Sequence, residues 1–329
     1  MRLRLIPALI LAIATGTFTI TAQDDDPIRV DSSIVRLNIG VVDQRGRPRT
    51  DLTRGDFAVF EDGIRQQISS FQPVTEPFSV VLALDMSGST LPFRQTMKQA
   101  ATRFIDALGP RDRVSVIEFY DKVNIRTEFT SDAGKILFAI NASNGRGKTQ
   151  FYKALDMAIE RLEKERNRRK AVIVLSDGID TAAQDEDRER LLKLPESAVP
   201  NAIRPDELDL MNRILRKSDN YGVTIYALAL PTGDPAKLAD PTPRQIEMYR
   251  AARERLRIVA ERTGGTLNTI NRLEEMGRLY AEVAADLRTL YTIDYQPSND
   301  RKDGKWRTIR IETADPALIA RTRTGYFAR

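Results

Sequence analysis

The sequence of 329 residues contains no cysteine and no histidine, and it has a single tryptophan. Without cysteine there is neither a disulfide framework nor thiol chemistry, so the fold depends on packing and on any metal that it binds. Without histidine, Ser/His/Asp and Cys/His catalytic arrangements are excluded, and zinc lacks its usual ligands. The composition leaves binding proteins, structural proteins and metal-assisted hydrolases as function classes.

A strong excess of one charge is also missing. The formal charge is +5, and it falls to +3 without the two arginines of residues 1–22. A mildly basic surface of mixed sign predicts no binding to nucleic acid. The densest basic cluster, Arg166–Lys170, is typical of the end of a helix, where cations favour the helix dipole.

Long apolar runs are scarce as well, and the longest lies at the start of the chain. Residues 1–22 combine two arginines, an apolar stretch and small residues up to Ala22. This pattern predicts a secretory signal peptide, with an uncleaved signal anchor as the alternative. We therefore expect an exported protein, periplasmic or secreted, with no stable membrane span after cleavage.

The most informative stretch that is present is FSVVLALDMSGST, which begins at residue 78. Val80–Leu84 is continuously apolar, which predicts a central strand of a parallel sheet. Asp85, Ser87 and Ser89 follow at its carboxyl end, where open α/β sheets bind ligands. Such hard oxygen donors suit magnesium or manganese. The alternative is that Ser87, Ser89 or Thr90 only caps the next helix.

Two further segments carry residues of the same kind. Thr149 lies in a glycine-containing loop ahead of a helix, and Asp177 follows the apolar strand Ala171–Leu175 in the sequence LSDG. The pattern D-x-S-x-S, then a distant threonine, then a distant aspartate resembles the metal-ion-dependent adhesion site of the von Willebrand factor type A (VWA) domain family. The matching residues are Asp85, Ser87, Ser89, Thr149 and Asp177.

The resemblance implies a mode of binding. Ser87, Ser89 and Thr149 would present hydroxyls to the metal directly or through water, and Asp85 and Asp177 would act mostly through bound waters. Few charged ligands would touch the ion, so it keeps an open position for an aspartate or glutamate of a partner protein. Magnesium usually retains water or accepts such an external oxygen.

We therefore expect a metal-dependent protein-binding or adhesion module with Mg²⁺ or Mn²⁺, and not an enzyme. Two alternatives stay open: a structural or assembly subunit of an envelope complex without metal-dependent binding, and a metal-assisted hydrolase. The sequence GRGKT at Gly145–Thr149 mimics the end of a P-loop, but the full pattern needs glycine where Ala142 stands. No nucleotide binding is expected.

The fold class follows from the order of elements. Strands alternate with helices over residues 77–288, which predicts an α/β domain with a doubly wound, mostly parallel sheet of the VWA or Rossmann-like type. Residues 28–74 and 289–329 alternate with the period of strands. We expect these two segments to pair into one small flanking β domain, because few strands are stable alone. Two separate small modules are the alternative.

The flanks add a resemblance and some local predictions. DLTRGDFAVFEDG, YTIDYQPSNDRKDGKWRTIRI and RTRTGYF resemble secreted bacterial VWA proteins best represented in acidobacterial genomes. Asp62-Gly63 and Asp303-Gly304 each predict a hairpin. Asp180–Pro205 and Pro231–Pro243 are predicted as long loops that leave carboxyl ends of strands, on the same face as the metal.

Overall fold

The regular elements form three sheets and the helices that cover the largest of them. The computed structural model describes residues 34–328, apart from residues 46, 73–76, 167 and 271. The signal peptide predicted for residues 1–22 lies outside these residues. The strands are β1 (Val35–Val42), β2 (Phe57–Glu61), β3 (Ile64–Gln66), β4 (Ile68–Gln72), β5 (Phe78–Asp85), β6 (Arg113–Phe119), β7 (Val123–Thr130), β8 (Arg169–Ser176), β9 (Val223–Ala229), β10 (Leu267–Thr269), β11 (Tyr291–Tyr295), β12 (Trp306–Thr313), β13 (Ile319–Arg321) and β14 (Gly325–Phe327). The helices are α1 (Arg94–Asp106), α2 (Ala133–Ala142), α3 (Phe151–Glu163), α4 (Thr181–Leu192), α5 (Asp209–Tyr221), α6 (Pro243–Arg262) and α7 (Met276–Arg288).

The centre of the larger domain is a sheet with the strand order β10-β9-β8-β5-β6-β7. Neighbouring strands are parallel except β6 and β7, which are antiparallel. All eight residues of β5 are buried, which explains why its sequence is continuously apolar instead of alternating. The predicted fold class, α/β with a mostly parallel sheet, is confirmed.

Helices cover both faces of this sheet. Val80, Leu82 and Leu84 pack into one apolar core with α1, α2 and α7, whereas Val81 and Ala83 pack into a second core with α3, α5 and α6. Successive side chains of a strand point to opposite faces, so β5 contributes to the two cores in turn. The carboxyl edge of the sheet remains for the polar residues that follow the strands.

The other two sheets are antiparallel and flank the α/β domain, as the predicted fold class requires. Their strand orders are β13-β1-β11-β4 and β14-β12-β2-β3. Both contain strands from before and after the α/β domain, and they share one apolar core. The rings of Phe57 and Tyr291, one from each sheet, lie 5.2 Å apart between centroids, and the Tyr295 hydroxyl donates to Glu61 Oε2 at 2.7 Å. The exact domain boundaries stay a prediction.

One predicted hairpin is confirmed and the other is wrong. Strands β2 and β3 pair around Asp62-Gly63. The strands on either side of Asp303-Gly304 lie in different sheets, with β11 between β1 and β4 and β12 between β2 and β14. The Gly304 N–H donates to the carbonyl of Ala328 instead, at 2.7 Å. Both β11 and β12 are inner strands, and the N-terminal segment supplies partners for each.

The prediction of a long loop over Asp180–Pro205 is also wrong, because the segment contains α4. The Asp180 carboxylate caps this helix by accepting the N–H groups of Ala182 and Ala183. Its buried residues include Asp187, so its buried face is not purely apolar and the helical period is hidden in the sequence. The buried partner of Asp187 lies on α6, far away in the chain.

Candidate metal centre

Four of the five predicted site residues are in mutual contact at the carboxyl edge of the central sheet. Asp85 ends β5, and Asp177 follows the neighbouring parallel strand β8. Ser89 lies in the turn after β5, and its hydroxyl donates to Asp177 Oδ2 at 2.9 Å. The Ser87 and Ser89 hydroxyl oxygens are 3.2 Å apart, and the Ser87 N–H donates to Asp85 Oδ1 at 3.0 Å. Parallel pairing of the two strands brings these residues together.

The loop of Thr149 lies beside this cluster. The Gly88 N–H donates to the carbonyl of Gly147 at 3.1 Å. This bond joins the loop to the turn that carries Ser87 and Ser89, hereafter the serine turn. The Thr149 N–H donates to the Thr181 hydroxyl at 2.9 Å, and its carbonyl accepts the Thr181 N–H at 3.0 Å. Gly147 has a φ of 93°, and a Cβ there would collide with the Asp121 carboxylate. The loop therefore needs glycine at this position.

Two further hydroxyls hold the carboxylates, and the sequence analysis missed both. Ser176 donates to Asp85 Oδ2 at 2.6 Å, and Thr232 donates to Asp177 Oδ2 at 2.5 Å. Ser176 ends β8, and Thr232 comes shortly after β9, the next parallel strand. Their position at strand ends was the available signal, because polar residues there meet at one edge of a parallel sheet.

Among the described residues the two carboxylates form no ion pair, although the charge of Arg94 acts on Asp85 at longer range. Asp85 is fully buried and Asp177 is 2% exposed. Within the described part of the chain, no basic side chain forms an ion pair with either of them. Burial, together with the charge of Asp177, raises the pKa of Asp85 to about 7. A buried pair of carboxylates without a counter-ion is a place where a bound cation would be stabilising.

The donor set fits a divalent cation that prefers oxygen ligands. Ligands that sit at right angles about 2.1 Å from a magnesium ion lie about 3 Å from each other. The Ser87–Ser89 and Ser89–Asp177 oxygen separations of 3.2 and 2.9 Å are close to this value. No cluster of three or more His, Cys, Asp or Glu side chains suited to a metal occurs among the described residues. Hydroxyls would therefore supply much of the coordination.

Residues 80–179 match the family model of the von Willebrand factor type A domain. The matched residues are those of a VWA domain. Among solved structures it is similar to a von Willebrand factor type A protein from Catenulispora acidiphila, with 13% identity, 90% of this chain and 74% of the other covered, and a TM-score of 0.48. It is also similar to the vWF domain of the type V pili tip protein Mfa5 from Porphyromonas gingivalis, with 14% identity, 64% and 94% covered, and a TM-score of 0.46.

A third similar structure is the manganese-loaded TRAP protein from Plasmodium vivax, with 11% identity, 79% of this chain and 84% of the other covered, and a TM-score of 0.43. Comparison with curated proteins gave no match. The finer resemblance of the flanks to secreted acidobacterial proteins stays a prediction.

The capping alternative named Ser87, Ser89 and Thr90, and the structure gives them other contacts. Thr90 donates to the carbonyls of Asp85 and Ser87, at 2.9 and 3.0 Å, and so stabilises the turn itself. The Ser87 side chain makes no capping hydrogen bond, although Ser87 occupies the N-cap position. Ser89 donates to Asp177 instead. The two serines are therefore available to a ligand, and Thr90 has a structural role.

Arg94, the first residue of α1, holds the serine turn of the VWA domain in place through hydrogen bonds to its carbonyls. Its guanidinium donates to the carbonyl of Met86 at 2.7 Å and also to the carbonyls of Ser87 and Gly145. It also donates to the Asn144 side chain at 2.7 Å. Arg94 thus joins the serine turn to the segment that leads to Thr149. This role could not be predicted from the sequence, because the contact depends on the tertiary fold.

The pKa of Asp85 predicts a pH-dependent response to metal. Because burial raises this pKa from 3.8 to about 7, the metal-free folded state holds the proton more tightly than the unfolded state. This contribution to stability is complete below about pH 4 and is lost as the pH rises to about 7. A bound cation would hold Asp85 ionised. We therefore expect the rise in melting temperature caused by magnesium to be larger at about pH 8 than at about pH 5. Equal rises at both pH values would contradict this expectation.

Proposed function

We propose that the protein is an exported protein-binding module whose VWA domain holds Mg²⁺ or Mn²⁺ and uses it to accept an acidic side chain of a partner. The observation that carries the proposal is the contact of Asp85, Ser87, Ser89 and Asp177 around two buried carboxylates that form no ion pair among the described residues. A bound divalent cation would stabilise such a cluster. Thr149 is proposed as the fifth residue, because its loop contacts the serine turn.

The serine, threonine and aspartate residues of the site would have different roles in holding the metal ion. Ser87, Ser89 and Thr149 would offer neutral hydroxyls, which leave most of the positive charge of the ion unneutralised. Asp85 and Asp177 are held by Ser176 and Thr232, so their orientation is fixed before binding. A divalent ion in this position would supply an electrophilic centre for one external carboxylate oxygen. Surrounding loops would then determine which partner is accepted.

Export is the other part of the proposal. It is supported by the arginines and the apolar stretch of residues 1–22. Among the described residues, no helix is both long and apolar enough to cross a membrane. We propose that the protein acts in the periplasm or outside the cell, with its VWA domain presented to other proteins.

Calorimetric titration of magnesium and manganese into the full chain tests the metal site. The wild type is expected to show one saturable site, and Ser87→Ala is expected to lose it, because the turn then lacks one of its hydroxyl donors. Ser218→Ala is a matched control, since Ser218 is about as buried but lies on α5, and its hydroxyl has no hydrogen-bond partner among the described residues. Equal metal affinity of wild type and Ser87→Ala would contradict the proposal.

A further inference from the structure

A large groove begins where the candidate metal centre ends. It has a volume of about 620 Å³ and is formed by α4, the start of α6 and the loop after β9. Ile179, two residues after Asp177, lines it, and so does Gly233, the neighbour of Thr232. Because the Thr232 hydroxyl donates to Asp177 Oδ2, one loop contacts the metal centre and also forms a wall of the groove. The groove therefore lies close to the centre, although none of the five candidate metal-site residues lines it.

Apolar side chains dominate the lining of this groove. They are Ile179, Leu191, Pro235, Leu238 and Met248. Leu238 is 49% exposed, and the neighbours in sequence of two lining residues, Leu192 and Ile246, are also exposed. Three of the nine large apolar side chains that are exposed in the described part of the chain thus belong to this region. Such a concentration next to a polar site is typical of an interaction surface.

The walls of the groove are fixed in place. Arg255 of α6 and Asp187 of α4 form a buried two-pronged ion pair at 2.5 and 2.8 Å. Arg244 donates to the carbonyls of Leu191 and Leu194 and so ties the end of α4 to the start of α6. A groove that exists before binding requires little ordering when a ligand enters. Its volume is in the range of about 300–1,000 Å³ that ligand sites occupy.

Charge indicates what would enter. Arg188 and Arg244 line the groove, where each also pairs with an exposed carboxylate, Asp185 at 3.2 Å and Glu196 at 3.7 Å. The acidic lining residue Asp234 accepts the N–H of Ala236 at 2.9 Å. On the Thr149 loop, Arg146 and Lys148 are exposed. Positive side chains therefore occur in the groove and on the loop beside the metal centre. Their charge favours the binding of an acidic partner segment.

We propose that the groove binds a bulky apolar side chain, such as leucine, of the same partner segment whose aspartate or glutamate reaches the metal. This inference rests on the proposed function and specifies the partner: an extended protein segment with an acidic residue and an apolar residue close together. Ile179 and Asp177 are two positions apart, which spans at most about 7 Å of extended chain. The two partner residues should accordingly be separated by about two to four positions.

Synthetic peptides on a glycine-serine background test the inference against the full chain, with binding followed by fluorescence polarisation in magnesium. One set carries both Asp and Leu at varied spacing, a second replaces Leu by Ser, and a third replaces Asp by Asn. The Asp–Leu peptides are expected to bind best. Leu238→Gln should weaken them about tenfold, because an apolar contact is lost, and should leave the Asp–Ser peptides unchanged.

Ile64→Gln is the matched control, since Ile64 is 59% exposed but lies on β3, outside the groove. If Asp–Leu and Asp–Ser peptides bind with the same affinity and both depend on magnesium, the proposed role of the groove is wrong and the proposed metal centre is still supported. Loss of magnesium dependence in every set would overturn the proposed function itself. Binding of Asn–Leu peptides as tightly as Asp–Leu peptides would overturn the coupling of the two sites.

Two other occupants would also overturn the inference. A peptide of residues 23–34 of this chain, which carries Asp24, Asp25 and Asp26 before Ile28, would bind best if the groove serves the chain's own N-terminal segment. A dimer in analytical ultracentrifugation that Leu238→Gln dissociates and Ile64→Gln does not would identify a second copy of the chain as the occupant.

Discussion

Asp85→Asn is expected to abolish magnesium binding and, at about pH 8 without metal, to raise the melting temperature of the protein. Asp85 is fully buried, forms no ion pair among the described residues and has its pKa raised to about 7 by burial and by Asp177. Its ionised form therefore lowers the free energy of unfolding by a few kcal/mol at that pH. Asparagine keeps the size of the side chain and removes the charge. Thermal denaturation with chelator and with excess magnesium measures both effects.

Asp112→Asn is the appropriate control for this result. Asp112 is also buried, but its carboxylate pairs with Arg288 at 3.3 Å and accepts the N–H of Gly109 at 2.8 Å. Losing a paired carboxylate should lower the melting temperature and leave the response to magnesium intact. Our interpretation of Asp85 is wrong if its variant is destabilised as much as the control, or if magnesium stabilises it as it does the wild type.

Arg255→Met is expected to lower the free energy of unfolding by about 3–5 kcal/mol. Both side chains of the Arg255–Asp187 pair are only 6% exposed, and removing the guanidinium leaves the Asp187 carboxylate buried without a counter-charge. The pair joins α4 to α6, so the groove beside the metal centre should also lose its shape. Urea denaturation gives the change in stability from the shift of the midpoint at an unchanged slope.

Two further variants distinguish the effect of an unpaired buried charge on stability from the effect of losing a long side chain. Asp187→Leu combined with Arg255→Met should recover much of the stability, because no charge then remains buried. Arg257→Met should cost less than about 1 kcal/mol, since Arg257 pairs with Glu254 on the surface of the same helix. The argument is contradicted if the double variant is less stable than Arg255→Met alone.

The parts of the fold that could be predicted are those with a short-range pattern. The alternation of Val35, Leu37 and Ile39 predicted β1, and these side chains are indeed buried. The apolar run of β5 predicted its central position in a parallel sheet. The pairing of β11 could not be read in the same way, because its partners β1 and β4 come from the other end of the chain. A turn signal at Asp303-Gly304 was consistent with a hairpin and with a crossing between sheets.

In the candidate site, too, only the residues close together in sequence could be predicted to lie together from local pattern. Asp85, Ser87 and Ser89 lie within five positions of each other, so their common location followed from one turn. Ser89 and Asp177 are 88 positions apart and could be linked only through the resemblance to a known family. The hydroxyl of Ser176 on Asp85 and that of Thr232 on Asp177 were not predicted. Serine and threonine are common in loops, and only a contact distinguishes these two from the others.

The sequence by itself determined which elements form and which chemistry the chain can offer: oxygen donors for a hard cation and no imidazole or thiol. Periodicity and turn chemistry depend on neighbours within a few positions, so they can be read directly. The tertiary structure decided what depends on distant residues. It buried Asp85 and Asp177 together with no ion pair to either among the described residues, paired Asp187 with Arg255, and formed a partly apolar groove near the two carboxylates. Burial and charge compensation are properties of the packed chain, because solvent is excluded only when remote segments meet.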